Sequence, residues 1–126
     1  MLLLDTDVII DVQRRHPPAM AWFTSLADVP LVSGFVVMEL MQSARNKTEL
    51  TAAKRLIVPF PVAWPSQADC SLAVQLFENF HLSHRLGLID SLIAATCIGL
   101  GATLCTFNAK HFYPVKSLLN TEPYIR

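Results

Sequence analysis

The sequence lacks the features that would suit a membrane protein or a strongly basic nucleic-acid-binding protein. No apolar run approaches the roughly 18 residues that a membrane span needs, so we expect no membrane association. Ten acidic residues balance ten lysines and arginines, and the formal net charge is zero. The charge of the whole chain therefore gives no attraction for RNA or DNA, and any such contact must depend on local charge.

Cysteines are few and show no pattern of pairing or metal binding. Cys70, Cys97 and Cys105 are odd in number, have no C-x-x-C spacing and lie among apolar neighbours. We expect all three to be buried thiols of a reducing compartment. The first residues have no basic segment and no cleavage pattern, so they do not look like a signal peptide. The sequence therefore predicts a cytoplasmic protein.

The length and the alternation of strands with helices predict the fold class. A chain of 126 residues is of the usual size for one domain, and a domain of this size buries about two thirds of its unfolded surface. There is no repeat, low-complexity tract or long linker, so we expect residues 1–126 to form a single domain. Short apolar strands between helices favour a small, mainly parallel sheet covered on both faces, which is a three-layer α/β/α sandwich.

Apolar runs, capping residues and prolines predict the individual elements. The predicted strands are 2–4, 31–33, 62–64 and 102–106, with 124–125 as an extended edge piece. The predicted helices are 7–14, 17–22, 34–44, 49–57, 67–81 and 91–99. Ser33 and Thr48 are the predicted N-caps of the third and fourth helices, and Ser66-Gln67-Ala68-Asp69 has the spacing of a capping box. Asp11 and Arg15 have the spacing of a helical ion pair.

Four polar residues lie where apolar segments end or are interrupted. Asp5 follows the first strand, and Asn108 follows the fourth in the same way. Glu39 and Asp90 lie in apolar helices that could overhang those strand ends. An unpaired buried carboxylate costs several kcal/mol, and parallel α/β sheets bind ligands at the carboxyl ends of their strands. Together these residues predict one pocket that holds a cation.

Each acidic residue also has a purely structural interpretation. Asp7 and Asp90 suit a helix N-cap or first turn, and Asp5 suits a turn. Glu39 lies at least one turn inside its helix between apolar neighbours, where the structural alternative is an internal salt bridge. Taken one at a time, the acids do not distinguish these interpretations from a cation site.

Oxygen ligands favour Mg²⁺ or Mn²⁺ over zinc. His81 and His84 are one turn apart, but they sit at a helix end, where imidazoles often contact backbone carbonyls. His111 is compatible with either role. The sequence therefore gives no histidine a definite part in the predicted cation site.

Three segments, in this order, resemble the PIN-domain family. They are LLLDTDVIID at 2–11, SGFVVMELMQSA at 33–44 and LSHRLGLIDSLIAATCIGLGATLCTFNAKHF at 82–112. The third segment is the most specific, and the similarity extends over nearly the whole chain. More narrowly, the segments resemble VapC, the toxin family of the VapBC toxin–antitoxin pairs.

The resemblance implies a metal-dependent endoribonuclease that a small partner antitoxin inhibits. Asp5, Glu39 and Asp90 match the first three acidic positions of the family, and Asn108 stands at the fourth, where it offers an amide oxygen without charge. These four residues would hold Mg²⁺, with Mn²⁺ able to substitute, and metal-activated water would hydrolyse RNA. The resemblance further implies a VapB-like antitoxin, a homodimer, and contact with DNA only through the antitoxin.

Neighbouring residues would support such a site. Thr6 and Thr106 are placed to hydrogen-bond to the carboxylates, and Lys110 or the Arg14-Arg15 pair could contact the RNA backbone.

Two other functions remain open on the sequence. The segment 2–8 also looks like the first motif of haloacid-dehalogenase-type phosphatases, in which Asp5 would be a nucleophile and Asp7 an acid/base. That family needs a downstream lysine and a late acidic pair, where this chain offers only Asp90 and Asn108. The second alternative is a PIN-like interaction module without catalytic activity.

Overall fold

The computed structural model describes residues 1–126 and contains one wholly parallel sheet. Its strands are β1 (Leu2–Leu4), β2 (Leu31–Ser33), β3 (Val62–Ala63), β4 (Thr103–Cys105) and β5 (Leu119–Thr121). They lie side by side in the order β3-β2-β1-β4-β5. The predicted α/β class with a small, mainly parallel sheet is confirmed.

Seven helices flank the sheet. They are α1 (Thr6–Gln13), α2 (Pro17–Ser25), α3 (Gly34–Gln42), α4 (Lys47–Ile57), α5 (Gln67–His84), α6 (Leu88–Leu100) and α7 (Ala109–Phe112). The long helices α5 and α6 pack against each other. None of the seven combines the length and the apolar character that crossing a membrane requires.

Two of the predicted caps are present. Ser33 Oγ accepts a 3.1 Å hydrogen bond from the Phe35 amide at the start of α3. Ser66 and Asp69 form the predicted capping box, in which each side chain accepts from the other's backbone N–H at the start of α5. These caps satisfy amide groups that have no partner inside a helix, and they fix where α3 and α5 begin.

Other predicted boundaries are wrong by up to three residues. The N-cap of α4 is Asn46 rather than Thr48, because Asn46 Oδ1 accepts from the Glu49 amide at 2.9 Å. Helix α6 begins at Leu88, with Gly87 as its N-cap, so it starts earlier than predicted. Helices α2 and α5 each extend three residues further than predicted, and α3 ends two residues earlier.

The edge of the sheet differs from the prediction. The edge strand is β5 at Leu119–Thr121, not the segment 124–125. Tyr124 instead packs its ring against Phe107, with 5.0 Å between the ring centroids. The short helix α7 was not predicted, because a single turn of four residues carries no periodic apolar pattern.

Two smaller expectations also fail. Asp11 does not pair with Arg15; it pairs with Arg126, and Arg15 adopts a left-handed backbone conformation with φ of 56° just after α1. Cys70 is exposed on α5 rather than buried. Cys97 and Cys105 are buried as predicted, and burial raises the pKa of Cys97 to about 12 and that of Cys105 to about 11. Both are therefore protonated, unreactive thiols at neutral pH.

The order of the strands determines where a ligand can enter. From β1 the chain proceeds to β2 and β3 on one side, whereas β4 and β5 lie on the other side of β1. This reversal makes the junction of β1 with β4 the switch point of the sheet, and open parallel sheets bind ligands at the carboxyl ends of the strands there. Behind the junction Leu3, Leu4 and Leu104 are fully buried, so the strand ends rest on a dry core.

Candidate active site

Asp5 and Thr106 meet where β1 and β4 end side by side. Leu4 is paired with Cys105, and the Asp5 backbone N–H donates to the Cys105 carbonyl at 3.0 Å. Asp5 and Thr106, which directly follow these two residues, are therefore neighbours. Thr106 Oγ1 donates a 2.8 Å hydrogen bond to Asp5 Oδ2, and the threonine is fully buried. The predicted contact of Thr106 with a carboxylate is therefore present.

The second oxygen of Asp5 caps a helix. Asp5 Oδ1 accepts from the Thr6 amide at 2.8 Å, which makes Asp5 the N-cap of α1. Burial raises the pKa of Asp5 above its ordinary value, although the hydrogen bonds from Thr106 and Thr6 oppose the shift. Two donors thus hold the carboxylate in one orientation, and burial makes its charge costly unless a cation compensates it.

Glu39 approaches the same point from α3. Thr6 Oγ1 lies 3.4 Å from Glu39 Oε2 and donates to it, so Thr6 links the glutamate to the start of α1. The internal salt bridge considered for Glu39 is absent, because no lysine, arginine or histidine pairs with it. Burial raises the pKa of Glu39, and the negative charge of Asp5 raises it further. Glu39 is therefore a carboxylate without a protein counter-ion.

Asp90 completes the group from the first turn of α6. It is not the N-cap, since Gly87 occupies that position. Burial raises the pKa of Asp90, and His111, whose Nδ1 lies 3.9 Å from Asp90 Oδ2, opposes the shift. The charge of Asp90 in turn raises the pKa of both Asp5 and Glu39. The negative charges of these acids therefore act on one another: Asp90 disfavours ionisation of Asp5, and both disfavour ionisation of Glu39.

Asn108 lies at the exposed rim of this group. Its backbone N–H donates to Thr106 Oγ1 at 3.0 Å, which ties the loop after β4 to the threonine that holds Asp5. The side-chain amide forms no hydrogen bond with the rest of the chain, so its oxygen is free to accept a ligand. Asp5 and Asn108 thus follow the ends of β1 and β4, and Glu39 of α3 and Asp90 of α6 interact electrostatically with Asp5.

The donor set fits a hard divalent cation in an open site. No three histidine, cysteine, aspartate or glutamate side chains are arranged as a preformed cage that could hold a metal ion. Mg²⁺ does not need such a cage, since it commonly binds one or two carboxylates and keeps several waters for contact with phosphate. Three carboxylates with raised pKa, none of them paired with a lysine or arginine, supply the charge for such a site.

The other histidines lie elsewhere. His81 Nδ1 is 3.1 Å from the Leu86 carbonyl, and His84 Nδ1 is 2.7 Å from Ser83 Oγ. Both imidazoles have partners at the end of α5, in agreement with the structural interpretation of this pair. Of the histidines singled out from the sequence, His111 is the one beside a candidate ligand.

Asp7 has a role that the sequence did not predict. Its Oδ1 accepts from the Val8 amide at 2.8 Å, and its Oδ2 accepts from the Phe107 amide at 2.9 Å. Asp7 therefore joins α1 to the loop after β4. The sequence placed Asp7 in the first helical turn, but its second partner is 100 positions away along the chain and carries no local signal.

Comparisons with known proteins match nearly the whole chain. The model of the PIN domain family matches residues 2–117. Ribonuclease VapC10 of Mycobacterium tuberculosis is 32% identical over 114 residues, which cover 89% of this chain and 86% of the relative. Ribonuclease VapC19 of the same species is 29% identical over 116 residues, which cover 89% and 92%.

Solved structures show the same fold. VapBC-1 from nontypeable Haemophilus influenzae has a TM-score of 0.79 at 24% identity and covers 97% of both chains. A toxin–antitoxin complex from Klebsiella pneumoniae also has a TM-score of 0.79, at 23% identity, with 100% of both chains covered.

Proposed function

The chain belongs to the PIN-domain family, and from that premise we propose that it is the endoribonuclease toxin of a type II toxin–antitoxin pair. One observation carries the proposal: Asp5, Glu39 and Asp90 converge at the switch point of the sheet, with raised pKa values and no lysine or arginine to balance them. Relatives named ribonucleases, at 29–32% identity over 89% of the chain, support RNA as the substrate. We regard residues 1–126 as one PIN domain.

Mg²⁺ is the proposed cofactor, and Mn²⁺ is expected to substitute. Asp5 and Asp90 would bind the ion directly, Glu39 directly or through water, and Asn108 would contribute its amide oxygen. Held by these residues, the cation would supply Lewis-acid chemistry, which polarises the scissile phosphate and makes a water molecule more acidic. Thr106 and Thr6 orient Asp5 and Glu39 by hydrogen bonding, which is the function of residues that surround metal ligands.

The hydrogen bonds of Asp7 weigh against the phosphatase alternative. In that mechanism Asp7 would donate and accept a proton beside an Asp5 nucleophile. Each oxygen of Asp7 instead accepts from a backbone N–H, and the residue serves to join α1 to the loop after β4. These two hydrogen bonds give Asp7 a structural role, which the phosphatase mechanism does not require.

An apolar groove beside Glu39 supports an antitoxin as the partner. Phe35, Met38, Met41 and Ile89 line an open groove of about 560 Å³, and Glu39 lies on its wall. An amphipathic helix binds such a groove through its apolar face, and a basic residue of that helix could reach the free carboxylate of Glu39. We propose a short VapB-like antitoxin that covers the site in this way.

The remaining parts of the proposal concern assembly and location. We propose a homodimer whose contact with DNA occurs only through the antitoxin. Cytoplasmic location is proposed because Cys70, Cys97 and Cys105 are all unpaired thiols.

A cleavage assay with matched variants tests the enzymatic activity. RNA cleavage should require Mg²⁺ or Mn²⁺, and Asp90→Asn should reduce it at least about a hundredfold, because even residues that only support metal ligands contribute about 10–100-fold. Asp28→Asn is the control, since Asp28 is an exposed acid outside the cluster. Equal activity of Asp90→Asn and the parent would refute the assignment.

Co-expression tests the partner. The product of an adjacent small reading frame should co-purify with this chain, and Met38→Lys should abolish the association, because Met38 is 57% exposed in the groove. Leu82→Lys, at a residue 91% exposed on α5, is the control and should leave the association intact. The absence of any co-purifying small protein would remove the toxin–antitoxin assignment.

A further inference from the structure

Two side chains of residues 122–126, a segment named here the 122–126 clamp, contact the loop that follows β4: Tyr124 and Arg126. Tyr124 is half-buried, and its hydroxyl donates to Asp11 Oδ2 at 2.9 Å. Arg126 donates to both oxygens of the same carboxylate, with Nε 3.0 Å from Oδ2 and a terminal guanidinium nitrogen 3.1 Å from Oδ1. Asp11 is only 6% exposed, so these three hydrogen bonds attach the clamp to a buried point of α1.

Two side chains of the clamp contact the ring of Phe107. The Tyr124 ring lies 5.0 Å from the Phe107 ring, and the Arg126 guanidinium carbon lies 4.8 Å from the centre of the same ring. Trp22 of α2 also packs on Tyr124, with 5.8 Å between the ring centroids. An aromatic contact and a cation–π contact therefore act on one side chain of the loop.

Phe107 is the residue between Thr106 and Asn108, so holding it constrains both of them. The backbone N–H of Phe107 donates to Asp7 at 2.9 Å, and the Thr106 hydroxyl donates to Asp5. The backbone N–H of Asn108 donates to the same Thr106 hydroxyl. The contacts form a closed circuit, which means here a ring of linked residues. Asp7 and Asp11 lie on α1, the clamp binds Asp11 and contacts Phe107, and Phe107 donates to Asp7. None of the proposed functions above requires this circuit.

We propose that Tyr124 and Arg126 are positioning residues, which fix the loop 106–108 against α1 and thereby set the affinity of the site for a divalent cation. The inference rests on the proposed function, because it takes Asp5 and Asn108 as ligands. Neither clamp residue needs to contact the cation or the RNA. Without the clamp, Phe107 loses its contacts with Tyr124 and Arg126 and keeps only its packing against the core, so the loop can shift Thr106 and Asn108 away from Asp5.

The test is a titration of the metal-free protein with Mn²⁺ by calorimetry, without RNA. Tyr124→Leu and Arg126→Gln should each weaken Mn²⁺ binding about tenfold, the lower part of the range for residues that orient metal ligands. Tyr124→Phe removes only the hydroxyl and should weaken binding less, because its ring still contacts Phe107. This milder variant keeps the proposal testable if Tyr124→Leu does not fold.

A matched control separates positioning from general stability. Phe60→Leu removes the edge-on contact of Phe60 with Phe23, whose ring centroids are 5.8 Å apart, and touches neither the clamp nor the loop. It should lower the melting temperature and leave the Kd for Mn²⁺ unchanged. The clamp variants should shift the Kd by more than any control of equal melting temperature.

The outcomes distinguish the two proposals. If the parent binds Mn²⁺ and the clamp variants bind it equally well, the clamp is only structural and the proposed function stands. If the parent binds no divalent cation, both the proposed function and the role of the clamp are wrong. Weaker binding by the clamp variants, with an unchanged Kd for Phe60→Leu, supports positioning.

Discussion

Thr106 Oγ1 donates a 2.8 Å hydrogen bond to Asp5 Oδ2 across 101 positions of sequence, and both residues are buried. The same hydroxyl oxygen accepts a hydrogen bond from the backbone N–H of Asn108. Thr106 therefore connects the carboxyl ends of β1 and β4. It orients the carboxylate of Asp5, a proposed ligand, and accepts a hydrogen bond from the backbone of Asn108, another proposed ligand.

Replacing this threonine tests the connection. Thr106→Val keeps the shape but leaves the Asp5 oxygen and the Asn108 amide without their partner, and a buried unsatisfied polar group costs about 1–3 kcal/mol. We expect a loss of this size in the free energy of unfolding, measured with urea. Thr106→Ser retains the hydroxyl and should lose less; equal losses in the two variants would contradict the importance of the hydrogen bond.

The closeness of Asp5, Glu39 and Asp90 predicts that removing one of these charges stabilises the metal-free protein. Asp90→Asn should raise the melting temperature of the metal-free protein, because it removes a buried charge that repels Asp5 and Glu39. The same change should shrink the stabilisation that Mg²⁺ provides, since the stabilisation by a ligand that binds only the folded state grows with the logarithm of its affinity. Thermal unfolding with EDTA and with Mg²⁺ measures both effects. Identical Mg²⁺ shifts in the variant and the parent would contradict the shared site.

The pH dependence of that effect has a definite sign. Burial raises the pKa of Asp90 in the folded state, so between its ordinary value and the raised value the folded protein binds more protons than the unfolded one. The contribution of Asp90 to stability therefore falls as pH rises through this window. The difference in melting temperature between Asp90→Asn and the metal-free parent should be larger at pH 7 than at pH 4. A difference that is the same at both values, or larger at pH 4, would reverse the assigned shift.

Asn108→Asp tests the fourth position. An added carboxylate at the rim should tighten Mg²⁺ binding about tenfold, which corresponds to about 1.4 kcal/mol, because it adds charge to an oxygen ligand. It should also lower the melting temperature of the metal-free protein by repulsion from the other three acids. Calorimetry that shows unchanged or weaker binding would exclude Asn108 from the site.

The sequence predicted where the four candidate ligands lie in the fold, because the signals for their positions are local. Asp5 ends a short apolar strand, and Glu39 and Asp90 interrupt apolar helices, so each position is visible in a window of a few residues. The rule that parallel sheets bind ligands at strand ends then brings the four residues together without knowledge of any contact. Ser33 and the Ser66–Asp69 box were predicted for the same reason, since a cap and its partner are at most three residues apart.

The errors lie where long-range contacts decide. Asp11 was paired with Arg15 by helical spacing, but α1 ends at Gln13 and Arg126 supplies a bidentate partner instead. The segment 124–125 looked like an edge strand because it is apolar and extended. Tyr124 instead donates a hydrogen bond to Asp11 and packs on Phe107, and residues 119–121 form the edge strand. Those residues are all exposed, so no alternation of apolar and polar side chains marks them as a strand.

The chemistry of the product ends tests metal-dependent hydrolysis by Asp5, Glu39 and Asp90 most directly. Water that attacks phosphorus leaves a 5′-phosphate and a free 3′-hydroxyl, whereas attack by the RNA's own 2′-hydroxyl leaves a 2′,3′-cyclic phosphate. We expect the first pair of ends, continued cleavage when the scissile nucleotide carries 2′-hydrogen provided it still binds, and no cleavage in excess EDTA. Cyclic phosphate ends, or undiminished cleavage in EDTA, would contradict the proposed mechanism.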